Sequence, residues 1–83
     1  MLRILVADDH PIFRRGVRQI IAETSDMVIT DEASNWRDVD SKVRTNEYDV
    51  VLLDISMPEQ NGLDVLKNLK DEKPGLPVLI LSM

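Results

Sequence analysis

The chain has 83 residues, no cysteine and a net charge of −5. That length suits one small domain with a marginal core, and the acidity argues against direct nucleic-acid binding, which needs a basic footprint. Missing cysteine excludes disulfides and thiolate chemistry; no run approaches a membrane span and no signal pattern opens the chain, so the cytoplasm is the expected compartment.

Residues 2–7 form an apolar, β-branched run that predicts the first strand. Asp8, Asp9 and His10 follow as a loop. Pro11 suits the first turn of a helix, where its missing N–H costs nothing. Phe13, Val17, Ile20 and Ile21 recur at helical spacing and predict a helix over about 11–23. Residues 24–26 turn into a second strand, 27–33, whose Asp31 and Glu32 suit a sheet edge. Ser34 or Asn35 can cap a second helix, with Asp38 near its third position. The apolar stripe of that helix is thin: Trp36, Val39 and Val43. Trp36 is expected at the surface or half-buried. Residues 50–53 form the third strand. Asn61-Gly62 opens a third helix with Leu63, Leu66 and Leu69 inward, and Lys73-Pro74-Gly75 ends it. Pro77 starts a last strand, 78–82.

Alternating strands and helices imply an α/β domain with a parallel sheet and right-handed crossovers. The expected strand order is 2-1-3-4, an open three-layer arrangement. The first helix covers one face; the second and third cover the other. Val78-Leu79-Ile80-Leu81 is apolar on both faces, as a central covered strand would be. Such an edge is normally protected. Either the sequence is cut short or another chain supplies the cover, so a homo-oligomer through the fourth strand is expected.

Asp8 and Asp9 end the first strand, and Asp54 ends the third. Parallel strands bring their tips to one sheet edge, where open α/β sheets hold ligands. Crowded carboxylates there repel one another and call for a cation or partial protonation. Magnesium takes such oxygen ligands. Asp54 is then a candidate nucleophile toward a phosphoryl group, with the metal offsetting charge. Ser82, at the tip of the fourth strand, can donate a hydrogen bond to that group. A single Asp after a strand reads as a turn or cap residue; a pair plus a third reads as a site. His10 reads as a solvated loop or cap residue, because no second histidine exists to build a metal site. Arg14, Arg15 and Arg18 read as a solvated helix face.

The stretches Ile4-Leu5-Val6-Ala7-Asp8-Asp9-His10-Pro11 and Asp49-Val50-Val51-Leu52-Leu53-Asp54-Ile55-Ser56-Met57-Pro58, with Asn61-Gly62-Leu63, resemble the receiver domain of two-component response regulators. The Asp-Asp-His-Pro and Asp-Ile-Ser-Met-Pro variants resemble the subgroup fused to LuxR/NarL-type helix-turn-helix domains. The resemblance implies a flavodoxin-like receiver fold, here a single domain over 1–83 truncated after its fourth strand. It implies that Asp54 is the phosphoacceptor and that Asp8 and Asp9 are the acidic pair, Asp9 being the direct magnesium ligand. It further implies that Ser56 completes the metal shell through its carbonyl and that Ser82 is the switch hydroxyl. A sensor histidine kinase or a small phosphodonor is the implied partner. Three departures stand out. The family's fifth strand, last two helices, lysine and aromatic switch residue are absent. Trp36 stands where the family usually has glycine, and Asp40 where an apolar residue is expected.

A signalling module, not an enzyme, is therefore the expected class. A non-catalytic fragment that keeps the fold and metal pocket is a second reading. A magnesium-dependent phosphohydrolase of the haloacid-dehalogenase type also uses a strand-tip Asp. It needs a second Asp two residues on, and Ser56 stands there. A nicotinamide-binding domain is disfavoured, since the turn after the first strand has no glycine.

Overall fold

A computed structural model of the chain describes residues 1–54 and 62–81. Its elements run β1 (Leu2–Ala7), α1 (Pro11–Ala22), β2 (Met27–Ala33), α2 (Trp36–Thr45), β3 (Val50–Asp54), α3 (Gly62–Glu72) and β4 (Val78–Leu81). The strands form one sheet in the order β2-β1-β3-β4, and each neighbouring pair is parallel. This is a doubly wound arrangement with the order reversing beside β1.

The period-2 alternation of β1 and β3 sorts the core. Leu5, Ala7, Val51 and Leu53 join Trp36, Val39, Val43, Val65 and Leu69 in one cluster, which places α2 and α3 over the same face. Ile4 and Val6 are buried on the other face. There α1 packs along β2 with Phe13, Val17 and Ile21 half-buried, and none of its residues is fully buried. Ile20, read from its spacing as part of that stripe, is 65% exposed. Four apolar positions span more of the helix circumference than the narrow contact with β2 covers.

The second helix begins as expected. Asn35 is its N-cap, and its side-chain oxygen accepts from the N–H of Asp38 at 2.8 Å. Such a cap stabilises a helix by about 1 kcal/mol. Trp36 corrects the sequence reading: only 2% of its surface is exposed. It is the first residue of α2 and joins Ala33, Val39 and Val43 in the core cluster between that helix and the sheet. Asp40, the other departure on this helix, faces outward enough to pair with Arg44, which also reaches Glu72 of α3. In α3 the inward residues are Val65 and Leu69, with Leu66 at the margin. The expected inward position of Leu63 lies outside what is described.

The edge strand β2 carries a register shift opposite Ile4 and Leu5, so that Ile29 pairs with Ile4 while Asp31 pairs with Leu5. One extra residue, Thr30, is thereby inserted as a bulge. Its consequence is electrostatic. Asp31 lines up with Leu5 on the α2 face and accepts a hydrogen bond from the Tyr48 hydroxyl at 2.6 Å. Glu32 lines up with Val6 on the α1 face and binds Arg18 at 2.9 Å through Nε, with Arg14 at 3.7 Å. The arginines are thus not simply a solvated helix face; two of them tie α1 to the sheet edge.

Candidate acidic phosphoacceptor and cation site

The carboxyl ends of β1 and β3 are adjacent, with Ala7 paired to Leu53. The next residue on each strand is an aspartate, Asp8 and Asp54, and each is only 1% exposed. Burying two acids side by side is expensive unless they are paired or bind a cation. The sequence enforces this placement, because apolar runs on both strands pull their tips to the same depth.

The loop after β1 is locally determined. The N–H of Asp8 donates to the carbonyl of Ala33 at 2.9 Å, continuing the ladder with β2. Asp8 Oδ1 then accepts from the N–H of His10 at 2.7 Å, an Asx-type turn. His10 is the N-cap of α1 by backbone geometry, without a side-chain capping bond, and Pro11 follows it. The first turn of α1 holds no acid. The helix therefore presents its positive N-terminal end beside the carboxylates.

Asp8, Asp9, His10 and Asp54 each offer one ligand atom, and these atoms all lie within 4.8 Å of one another. Nδ1 of His10 is 3.2 Å from Asp8 Oδ1, 2.9 Å from Asp9 Oδ1 and 3.3 Å from Asp54 Oδ2. The Asp9 contact is one of charge, since Asp9 Oδ1 makes no hydrogen bond among the described residues. Its acid neighbours raise the pKa of His10 above the ordinary histidine value. The hydrogen bond to Asp8 contributes most, then the Asp9 charge, against some desolvation, with Asp54 and the Asp8 charge adding to it. His10 was read from sequence as a solvated residue, and half of its side chain is indeed exposed. Its ring nonetheless belongs to the cluster. The signal was present in the chain: a histidine directly after the acidic pair cannot leave their loop.

The donor set tests the implied cation. Three carboxylates supply hard oxygen ligands of the kind magnesium prefers. Asp8 Oδ2 is buried and has no hydrogen-bond partner among the described residues. A buried, uncompensated carboxylate oxygen is a costly feature unless it serves a ligand. The residues present therefore fit a divalent cation. Of the sequence-derived site residues, Asp8, Asp9 and Asp54 come together, while Ser56 and Ser82 lie outside the described residues. A hollow of about 370 Å³ around Arg3, Tyr48 and Lys73 shares no residue with the acid cluster. It sits by the amino ends of the strands, where this fold does not place its chemistry.

Comparison with known proteins agrees with this geometry. The family profile described as response regulator receiver domain matches residues 4–83. The glycerol metabolism activator of Pseudomonas putida is 38% identical over 86 residues, covering 99% of this chain and 38% of that protein. The nitrate/nitrite response regulator NarL of Escherichia coli strain K12 is 35% identical over 80 residues, covering 96% of this chain and 37% of that protein. The chain thus spans well under half the length of these relatives. A solved structure of the signal receiver domain of the putative response regulator NarL from Mycobacterium tuberculosis superposes with a TM-score of 0.87 at 30% identity, covering 98% of this chain and 65% of that one. With a parallel sheet in the order 2-1-3-4 and an acid cluster at its carboxyl edge, the chain belongs to the receiver-domain family of response regulators, among relatives of the LuxR/NarL type.

Proposed function

We propose that the chain is a phosphoacceptor module in which Asp54 takes a phosphoryl group beside a magnesium ion held by Asp8, Asp9 and Asp54, with the carbonyl of Ser56. The observation that carries this reading is the convergence of Asp8 and Asp54, buried and adjacent, on one edge of the sheet. An Asp54 carboxylate oxygen attacks the donor phosphorus. The new bond is Asp54 O–P, and the bond that breaks joins phosphorus to the donor's leaving atom, which keeps the electron pair. The ion, when bound, offsets negative charge on the transferring oxygens. The chain's own part is to hold Asp54 rigidly at the strand tip and to keep its carboxylate beside Asp8 and the α1 N-terminus. Ser82 is assigned as the hydroxyl that follows the phosphoryl group. The donor is a sensor histidine kinase or a small phosphodonor, and the role is signalling. The open edge of β4, where Leu79 and Ile80 are 56% and 48% exposed, is assigned to pairing with a second copy.

The test is incubation with magnesium and a small phosphodonor, followed by peptide mapping. An acyl phosphate on Asp54 that Asp54→Asn abolishes supports the reading. A stable acyl phosphate on another residue overturns it.

A further inference from the structure

Three carboxylate oxygens crowd a single nitrogen, His10 Nδ1, at 2.9, 3.2 and 3.3 Å. One N–H cannot satisfy three acceptors, so hydrogen bonding alone leaves this arrangement oversubscribed. The separations match something else. Ligands held about 2.0–2.1 Å from one metal ion stand roughly 3.0 Å apart in an octahedral shell and roughly 3.3 Å apart in a tetrahedral one. The nitrogen already stands at such a spacing from each of the three oxygens, and the four ligand atoms of the cluster lie within 4.8 Å of one another. Independently, Asp8 is 1% exposed and its Oδ2 has no hydrogen-bond partner among the described residues, so the cluster contains a buried acid with capacity to spare.

Magnesium makes little use of an imidazole; zinc, nickel and copper favour it. A nitrogen donor within an otherwise all-oxygen set therefore changes which ion the pocket prefers. We propose that His10 is a metal ligand of the acidic pocket, through Nδ1, and that it makes the pocket bind zinc-like first-row divalent ions more tightly than magnesium. This rests on the reading of Asp8, Asp9 and Asp54 as a cation site and adds selectivity to it. Such an ion competes with magnesium for the same carboxylates, so it acts as an inhibitor of phosphoacceptance. His10 leads directly into α1 through Pro11, so its capture by an ion is also felt at the start of that helix.

The experiment is calorimetric titration of the 83-residue chain with zinc chloride and, separately, magnesium chloride at one fixed pH, repeated on His10→Asn. The expected result is zinc binding at least about tenfold tighter than magnesium, with His10→Asn weakening zinc by about tenfold or more and so removing most of the preference for zinc over magnesium. Equal weakening of both metals, or no change in zinc, overturns the proposal. The chain has one histidine, so the ring nitrogens give an unambiguous second readout by ¹⁵N NMR in the unsubstituted protein. Zinc is expected to move the Nδ1 resonance to a metal-bound position while magnesium does not. An unmoved Nδ1 resonance under saturating zinc overturns the proposal even if His10→Asn fails to fold. If magnesium never binds while zinc and His10 behave as stated, the magnesium reading fails and the histidine ligand stands. If magnesium binds and His10 has no effect on zinc, the reverse holds.

Discussion

Nδ1 of His10 stands 3.3 Å from Oδ2 of Asp54, although 44 residues separate them in the chain. The contact ties the α1 N-terminus to the tip of β3 and gives the metal-free pocket a proton-dependent cation. Because the pKa of His10 is raised in the folded chain, its stabilising contribution is fully present below the ordinary histidine value of about 6.5. It is lost as pH rises through the raised value. Metal-free protein is therefore expected to melt at progressively lower temperature as pH climbs through that window. His10→Asn removes this part of the pH dependence. Thermal melts across the range, in chelator, check both statements; a His10→Asn profile parallel to the unsubstituted one refutes them.

Above that window the carboxylates are left without the histidine charge. Asp54→Asn is then expected to stabilise the metal-free chain by on the order of 1 kcal/mol, through relief of like-charge repulsion. For a domain of this size that is roughly 4–8 °C in Tm. Millimolar magnesium is expected to raise the Tm of the unsubstituted chain by mass action and to raise that of Asp54→Asn less. Calorimetric scans above that window, with and without magnesium, separate the two effects. A lower Tm for metal-free Asp54→Asn counts against the repulsion.

Tyr48 and Asp31 form a second polar pair, on the α2 face and away from the pocket. Burial, and then the bond to Asp31, push the tyrosine pKa up to about 12. Tyr48→Phe leaves the Asp31 carboxylate without its phenolic donor and is expected to cost about 1–3 kcal/mol. The sign of the pH effect follows from the raised value. The tyrosine contribution is intact below about pH 10 and is lost as pH rises toward 12. Urea titrations at neutral pH and above pH 10 should show the two chains converging at the higher pH.

The β4 edge is expected to make the 83-residue chain prone to self-association. Leu79 and Ile80 are exposed on a strand whose outer edge faces no other strand among the described residues. Light scattering over a concentration series is expected to show a rising mass, and Ile80→Lys is expected to suppress it. A concentration-independent monomer refutes this.

Much of the fold was legible because β1 and β3 are unbroken apolar runs of strand length, and because Pro11 and the pair Ser34-Asn35 mark helix starts to within a residue. The acid cluster was legible for the same reason: two such strands in parallel can only bring Asp8 and Asp54 to one edge. Other features depend on tertiary register. The bulge at Thr30 decides which faces Asp31 and Glu32 take, and nothing in the local sequence announces it. Trp36 was misjudged because a thin stripe suggests shallow burial, whereas the indole is taken fully into the core cluster. His10 is the half-exposed cap residue its loop position suggested, but a lone histidine weighed by itself does not reveal the carboxylate oxygens its loop brings around it. Ile20 fits the helical period, but the neighbouring strand is too narrow to cover it.

The central claim is that the pocket of Asp8, Asp9 and Asp54 directs a phosphoryl group to Asp54. Intact-mass measurement of the unsubstituted chain, after a time course with a small phosphodonor in magnesium and in chelator, tests it most directly. The expected result is slow gain of one phosphoryl group in magnesium, little in chelator, and none in Asp54→Asn. A gain that is indifferent to magnesium and persists in Asp54→Asn, or no gain at all in the presence of bound magnesium, would show that the assembled acids do not perform this chemistry.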